Sequence, residues 1–462
     1  MNVLLVSPYR GAIFEYSGVK IQPLGVSYIG SALQQAGYNI QIELLENSDL
    51  MPDFISADVV GISCNTIQFK SGLRVAGAAK EEGKIVIMGG PHPTSSPEET
   101  LRSGFVDYAV RAEGEVTSVE LLAGIKSGKN FNPRKVLGIS YIDKDTGSIV
   151  NNPGRPFIQN LDNICFPIRE ANWRYKKASK SVSTGVIEYP LITTRGCPYG
   201  CNFCDVHLLA GKLYRARSIE NTVKEIEEII TKYDADRILI VDDIINFKNE
   251  RLIDLFETLI KRNLPVVRWV MGRSDHLVKS PETAEVMAKA GVRQMFIGIE
   301  SPNERILRAY KKGGKVSLDY SIKAVELLKQ NGIETWGAFL LGEPSETKED
   351  VKRTIDFAKY INPGIAQFSI LTPYPGTELW QNVESKIITK DWDKYDAMHS
   401  VFKMDNFEPE ELEKILVKAY VNFYKQPKRI LKEMFKREHY GRPNLKRIFE
   451  ILKALKIVFK HA

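Results

Sequence analysis

Along the first third of the chain, short unbroken apolar runs alternate with longer stretches in which apolar residues recur every three or four positions. Val3-Leu4-Leu5-Val6, Ile40–Leu45, Val59–Ser63, Ile85–Met88 and Tyr108–Val110 read as strands. Helical patterns fall at Leu24–Ala36, Gly72–Glu82, Pro97–Ser103 and from Val116 onward. Continuous apolar strands are those buried on both faces. Five strand-helix units of this kind predict an α/β domain over residues 1–150 with a doubly wound, Rossmann/flavodoxin-like parallel sheet. Ligands of such sheets collect at the carboxyl ends of the strands. The sequence places Ser7-Pro8, Ser63-Cys64-Asn65, Gly89-Gly90-Pro91-His92-Pro93 and Arg111-Ala112-Glu113-Gly114-Glu115 there. The pair Gly89-Gly90 permits close backbone approach to a ligand and serves a tight turn equally well. His92, between two prolines, reads as a loop-packing residue before it reads as a ligand.

Strand-like runs at Val136–Ile142 and Ser148–Val150 lead into a polar, prolyl connector over 151–184. The alternation then resumes in a uniform series. Extended runs at Tyr189–Thr194, Arg237–Val241, Val266–Met271, Gln294–Gly298, Glu334–Leu341 and Ala366–Leu371 are separated by helical patterns. Six such units within 185–400 predict a partial (β/α)6 barrel, with its chemistry at the carboxyl ends of the strands. Those ends carry the charged residues Asp242-Asp243, Arg273 and Asp275, Glu300, and the Gly342–Thr347 turn, whose Glu346-Thr347-Lys348-Glu349 reads as a helix cap.

The net charge of +7 is concentrated at one end. Residues 424–462 hold twelve basic and three acidic side chains, leaving the rest of the 462-residue chain slightly acidic. This argues against nucleic acid as the partner of the whole protein. Length requires more than one core. The N-terminus lacks a secretory pattern, and no apolar run is long enough to span a bilayer, so a cytoplasmic chain is expected. Five cysteines, three of them clustered, suggest metal-holding thiols in a reducing compartment, with Cys64 and Cys165 as buried structural thiols.

The clustered thiols lie in Arg195-Gly196-Cys197-Pro198-Tyr199-Gly200-Cys201-Asn202-Phe203-Cys204-Asp205, directly after the first barrel strand. Three thiolates leave a tetrahedral zinc site or a 4Fe-4S cluster one ligand short. His207 could complete a Cys3His zinc site in a binding protein. The alternative is a cluster with one open iron. Cys197-x-x-x-Cys201-x-x-Cys204, with aromatic Phe203 before the last thiol, resembles the signature of the radical S-adenosylmethionine (SAM) enzymes. That resemblance implies a 4Fe-4S cluster held by the three thiolates, SAM chelating the fourth iron, and a 5'-deoxyadenosyl radical made by an external one-electron donor such as a ferredoxin or flavodoxin. It also implies that Phe203, Asp242, Arg273 and Glu300 lie at the SAM site, although Val241-Asp242-Asp243 replaces the family's Gly-Gly-Glu.

The preceding doubly wound domain, with Pro23-Leu24-Gly25, the Gly89-Gly90 segment and Glu113-Gly114-Glu115, resembles that of the cobalamin-binding-domain subclass. Ser63, Gly89, Gly90 and Glu113 are the implied cobalamin contacts. The Asp-x-His-x-x-Gly motif that supplies a lower cobalt ligand is absent after the first strand. The resemblance implies cobalamin-assisted C-methylation of a lipid or other hydrophobic natural product. The alternative is a cobalamin-free radical cyclase or C–C coupling enzyme acting on a membrane isoprenoid lipid. Residues 401–462 are expected to be helical and basic. Leu445, Ile448, Phe449, Leu452, Leu455 and Phe459 recur at helical spacing with Lys446, Arg447 and Lys453 between them, so 424–462 is expected either to meet an anionic membrane surface or to dock on the barrel with a solvated basic face.

Overall fold

The computed structural model describes residues 1–9, 22–169, 186–264, 266–312, 317–426 and 429. Its first sheet contains β1 (Asn2–Ser7), β2 (Asn39–Leu44), β3 (Val59–Ser63), β4 (Ile85–Gly89), β5 (Tyr108–Val110), β6 (Ile139–Ile142) and β7 (Ile149–Asn151), in the order β2-β1-β3-β4-β5-β6-β7. The first five strands are parallel, and the order reverses between β1 and β3, the place where doubly wound sheets open a ligand crevice. Helices α1 (Leu24–Gln35), α2 (Phe69–Glu81), α3 (Pro91–Ser95), α4 (Pro97–Arg102) and α5 (Glu115–Lys126) follow the strands. Strand alternation divides the core. Leu4, Val6, Val60 and Met88 join Val75 and Ala79 of α2 on one face, while Val3, Leu5, Val59 and Ile87 join Val26 and Leu33 of α1 and Leu122 of α5 on the other.

The runs at 136–142 and 148–150 are part of this domain. They form an antiparallel hairpin that pairs with β5, Tyr108 opposite Tyr141, so the sheet is mixed and not purely parallel. A three-residue edge strand leaves backbone donors and acceptors open, and the hairpin covers them.

The second sheet is a six-stranded parallel half-barrel, formed by β8 (Glu188–Leu191), β11 (Arg237–Ile240), β12 (Val267–Gly272), β13 (Gln294–Glu300), β14 (Glu334–Leu341) and β15 (Ile365–Ile370) in that order. Between β8 and β11 lie a short antiparallel pair, β9 (Thr194–Arg195) and β10 (Arg215–Ala216), and the helices α6 (Val206–Ala210) and α7 (Ile219–Tyr233). The extended run expected from Tyr189 to Thr194 is therefore two elements. The Asp242 carboxylate captures the amides of Thr193 and Thr194 at 2.6 and 3.1 Å, which takes the chain out of the parallel ladder. The remaining helices are α8 (Asn249–Lys261), α9 (Ser274–Lys279), α10 (Glu282–Lys289), α11 (Glu304–Ala309), α12 (Leu318–Gln330), α13 (Lys348–Ile361), α14 (Glu378–Val383) and α15 (Pro409–Tyr424).

A half-barrel has edges, and α15 lies along one of them. The Tyr420 hydroxyl donates to the carbonyl of Phe368 (2.7 Å) and accepts from its amide (3.1 Å). Tyr424 does the same for Ala366, at 3.0 and 3.2 Å. The chain between β15 and α15 returns to the first domain, where Trp392 packs edge-on against buried His92 at 4.9 Å and bonds Glu99 through its indole N–H. His92 also lies 3.9 Å from the Phe69 ring, and is a packing residue as its flanking prolines suggest. Among the described residues no helix is long and apolar enough to cross a membrane. The basic stretch expected to meet a membrane lies, apart from 424–426 and Arg429, outside the described residues.

Candidate active site: a cysteine loop beside an interdomain cavity

The cysteine loop leaves β9 through Gly196, whose φ of +84° is left-handed. A Cβ there would run into the carbonyl oxygens of Leu213 and Ala210, so only glycine makes this exit. The far side of the loop is fixed on α11. Asn202 donates from its backbone to Tyr310 (3.0 Å) and from its side chain to Ala309 (2.8 Å), while Phe203 packs edge-on against the Tyr310 ring at 5.4 Å. Burial pushes the thiols of Cys197, Cys201 and Cys204 above the ordinary thiol range.

Among the described residues, no three His, Cys, Asp or Glu side chains converge as they would around a single metal ion. The Cys3His zinc arrangement with His207 is thus not preformed. Three thiolates on three separate irons of one cluster require no such convergence.

The rim brings part of the expected SAM set to this loop. Lys312 and Arg273 lie close enough to pull the Cys201 thiol down, and Glu300 close enough to push it up, though burial outweighs all three. Glu300 sits at the end of β13 with φ +64° and accepts from Lys312 Nζ at 2.7 Å. The Arg273 guanidinium lies 3.7 Å over the Tyr199 ring of the loop and is bonded to Asp275 at 3.0 Å. Tyr199 in turn shares a 2.5 Å hydrogen bond with His276.

Asp242 is placed differently from the expectation. It is 1% exposed, and its two oxygens are taken up by the Thr193 amide and hydroxyl and the Thr194 amide. Its neighbour Asp243 has the open position: it accepts from the Gly196 amide at 2.9 Å and lines the cavity. Burial raises the Asp243 pKa to about 6, with Asp242 and Asp205 adding to the effect. The double-Asp sequence marks this place without saying which of the two is free.

The cavity, of about 340 Å³, lies between the domains. One wall is the carboxyl edge of the first sheet, with Ser63, Gly89, Gly90 and Glu113; the other is Thr194, Arg195, Val206, Ala210 and Asp243 of the barrel. Leu5, Val26, Gly61 and Leu122, from the sheet and from helices α1 and α5, also line the cavity. At Gly90 (φ +102°) a Cβ would come within 2.6 Å of the Cys64 carbonyl, so glycine is required by the turn itself as well as by the cavity. The lining mixes polar and apolar residues, which suits a large ligand with both hydrogen-bonding and apolar parts, as a corrin has.

The two walls are joined by charge. Glu113, expected as a ligand contact, is bonded to Arg195 at 3.0 Å and to Arg215 at 2.9 Å, and Glu115 to Arg195 at 2.6 Å. Sequence reasoning placed Glu113 at the site but missed Arg195, Arg215 and Lys312, since a lone basic residue in a sequence carries no sign of its partner. Of the isolated thiols, Cys64 is buried, while Cys165 is only partly so and donates to Gln35 Oε1 at 2.9 Å.

Comparison with known proteins agrees with this geometry. The profile of the Radical SAM superfamily matches residues 191–358, and that of the B12 binding domain matches residues 11–122. An uncharacterized methyltransferase of Pyrococcus horikoshii is 35% identical over 454 residues, covering 96% of each chain. The bacteriochlorophyllide d C-12(1)-methyltransferase of Chlorobaculum tepidum is 30% identical, over 91% of this chain and 87% of that one. In fold, the chain matches the radical S-adenosylmethionine methyltransferase TsrM of Kitasatospora setae, solved with cobalamin and a [4Fe-4S] cluster. The TM-score is 0.74 at 15% identity, over 100% of this chain and 99% of that one.

Proposed function

The chain belongs to the radical SAM superfamily and carries a B12-binding domain, and on that premise we propose that it methylates an unactivated carbon of a hydrophobic natural product. Its cofactors are a 4Fe-4S cluster, SAM and cobalamin. When bound, the cluster and SAM make a C–H bond reactive and cobalamin supplies the methyl carrier. Cys197, Cys201 and Cys204 hold the cluster in this reading, with Phe203 packed behind the loop and Arg273 and Glu300 beside Cys201 for the polar end of SAM. Asp243, in place of Asp242, faces the cavity, and Ser63, Gly89, Gly90 and Glu113 receive the corrin.

The observation that carries the reading is the shared cavity. Residues adjoining the cysteine loop and residues at the carboxyl edge of the B12-type sheet form opposite walls of one space, so a methyl carrier and a C–H-activating centre can serve the same substrate. The two relatives named as methyltransferases favour methylation as the outcome.

The test is expression of the chain in an anaerobic host fed methyl-deuterated methionine, followed by comparison of lipid and pigment extracts with those of an empty-vector host. A product that gains an intact trideuteromethyl group on carbon is expected. A new product that loses two hydrogens and takes up no label would replace methylation with ring closure or coupling. The membrane partner rests on the sequence of 424–462 alone. Deleting 445–462 is expected to abolish sedimentation with anionic liposomes, and unchanged sedimentation would reject that partner.

A further inference from the structure

The residue that leads into the cysteine loop is tied to the other domain. The main chain of Arg195 belongs to the barrel: it pairs with Arg215 across β9 and β10, and the next amide, Gly196, donates to Asp243 at 2.9 Å. Because Gly196 is left-handed and confined by carbonyl oxygens, little slack lies between Arg195 and Cys197. The guanidinium, in contrast, belongs to the first domain. It donates to Glu113 at 3.0 Å and to Glu115 at 2.6 Å, and lies 5.0 Å over the Tyr28 ring.

The acids are themselves fixed. Glu113 also accepts from Arg215 (2.9 Å) and from the Ile158 amide (2.8 Å). They follow Ala112, whose φ is +59° and whose amide donates to Thr94 at 2.9 Å. The two Arg and two Glu charges cancel, and none of the four side chains is more than 13% exposed. Tyr28, Glu113, Glu115 and Arg195 all line the cavity. A ligand entering there presses on groups that hold Arg195, and the first candidate cluster thiol is two residues further on.

We propose that Arg195 couples the two cofactor sites, so that corrin and SAM bind the cluster-loaded protein cooperatively. The proposal rests on the function given above. Coupling between two binding sites is reciprocal, so each ligand must change the affinity of the other by the same factor. Arg195 acts here as a positioning residue, through the loop it holds.

The test uses full-length protein with its cluster reconstituted anaerobically. Hydroxocobalamin affinity is measured with and without saturating SAM, and SAM affinity with and without hydroxocobalamin. In the unmodified protein each ligand is expected to tighten the other by at least about fivefold, the lower end of ordinary couplings. Arg195→Gln is expected to bring both ratios to one, whatever it does to the affinity of either ligand alone, and Arg195→Lys, which keeps the charge but not the fork that spans two carboxylates, to restore part of the coupling. Addition of corrin should also shift the electron paramagnetic resonance signal of the reduced, SAM-bound cluster in the unmodified protein but not in Arg195→Gln, a difference that loss of stability alone would not produce. Glu115→Gln removes the same tie from the other side and serves if Arg195→Gln does not retain the cluster. Ratios of one in the unmodified protein, or ratios unchanged in the variants, overturn the coupling and leave the function intact. Failure of the unmodified protein to bind corrin or SAM at all overturns the function, and the coupling with it.

Discussion

Glu346 illustrates how far a residue's chemistry departs from its apparent place in the sequence. Beside Thr347 it reads as part of a helix cap, and Thr347 is the cap of α13, in a capping box with Asp350. Glu346 itself is fully buried, accepting from the Gly342 amide at 2.6 Å, with its other oxygen lacking a hydrogen-bond partner. Burial raises its pKa from 4.5 to about 7. The folded chain therefore binds this proton more tightly than the unfolded chain, and the group's contribution to stability, present below pH 4.5, is lost as pH rises through 7. A shift of this size corresponds to roughly 3–4 kcal/mol. In Glu346→Gln the decline in stability between pH 5 and 7.5 should flatten, as measured by urea unfolding at a series of pH values; an unchanged slope would assign the decline to other groups. The clustering of three cysteines was legible in the sequence, which left zinc and an iron-sulfur cluster both open until the resemblance was weighed. The Asp242/Asp243 distinction was not, because it depends on which carboxylate meets the backbone amides of Thr193 and Thr194.

At the scale of elements, the parallel strands were legible because burial on both faces leaves continuous apolar runs. The pairing of the β6–β7 hairpin with β5 was hidden, because runs of four and three residues, Ile139–Ile142 and Ile149–Asn151, are too short to show a pattern. The cover provided by α15 was also hidden, since it depends on two tyrosine hydroxyls that meet backbone groups 52 and 58 residues away. Removing both in Tyr420→Phe/Tyr424→Phe leaves the apolar packing and uncovers the edge of β15. With four hydrogen bonds lost, each worth a net of about 1 kcal/mol, a loss of about 4 kcal/mol is expected in chemical denaturation, together with increased self-association through the exposed strand. Stability and association both unchanged would mean that the rings alone cover the edge.

At the scale of the molecule, two buried charge networks join the domains. One is the Arg195 cluster at the cavity. The other is a triad in which Glu225 of α7 takes Arg169 at 2.8 Å and Arg217 at 2.5 Å, with Arg169 continuing to Gln22 at 3.0 Å. Glu225 and Arg169 are almost wholly buried, so Glu225→Gln would leave two guanidinium groups without their counter-charge, at a cost of about 3–5 kcal/mol. Thermal unfolding would register this as a large fall in midpoint, whereas a fall no greater than that of a surface substitution would show that water reaches the triad.

In the proposed function one cavity lies between the residues that flank the cysteine loop, Arg195 and Val206, and the sheet proposed to receive the corrin. That function is tested most directly by iron, sulfide, zinc and cobalt analysis of the full-length protein, reconstituted anaerobically with iron and sulfide and saturated with hydroxocobalamin before desalting. The account predicts about four irons with matching sulfide, the content of one 4Fe-4S cluster, and about one cobalt per chain. Stoichiometric zinc without sulfide, or no retained cobalt, would contradict it.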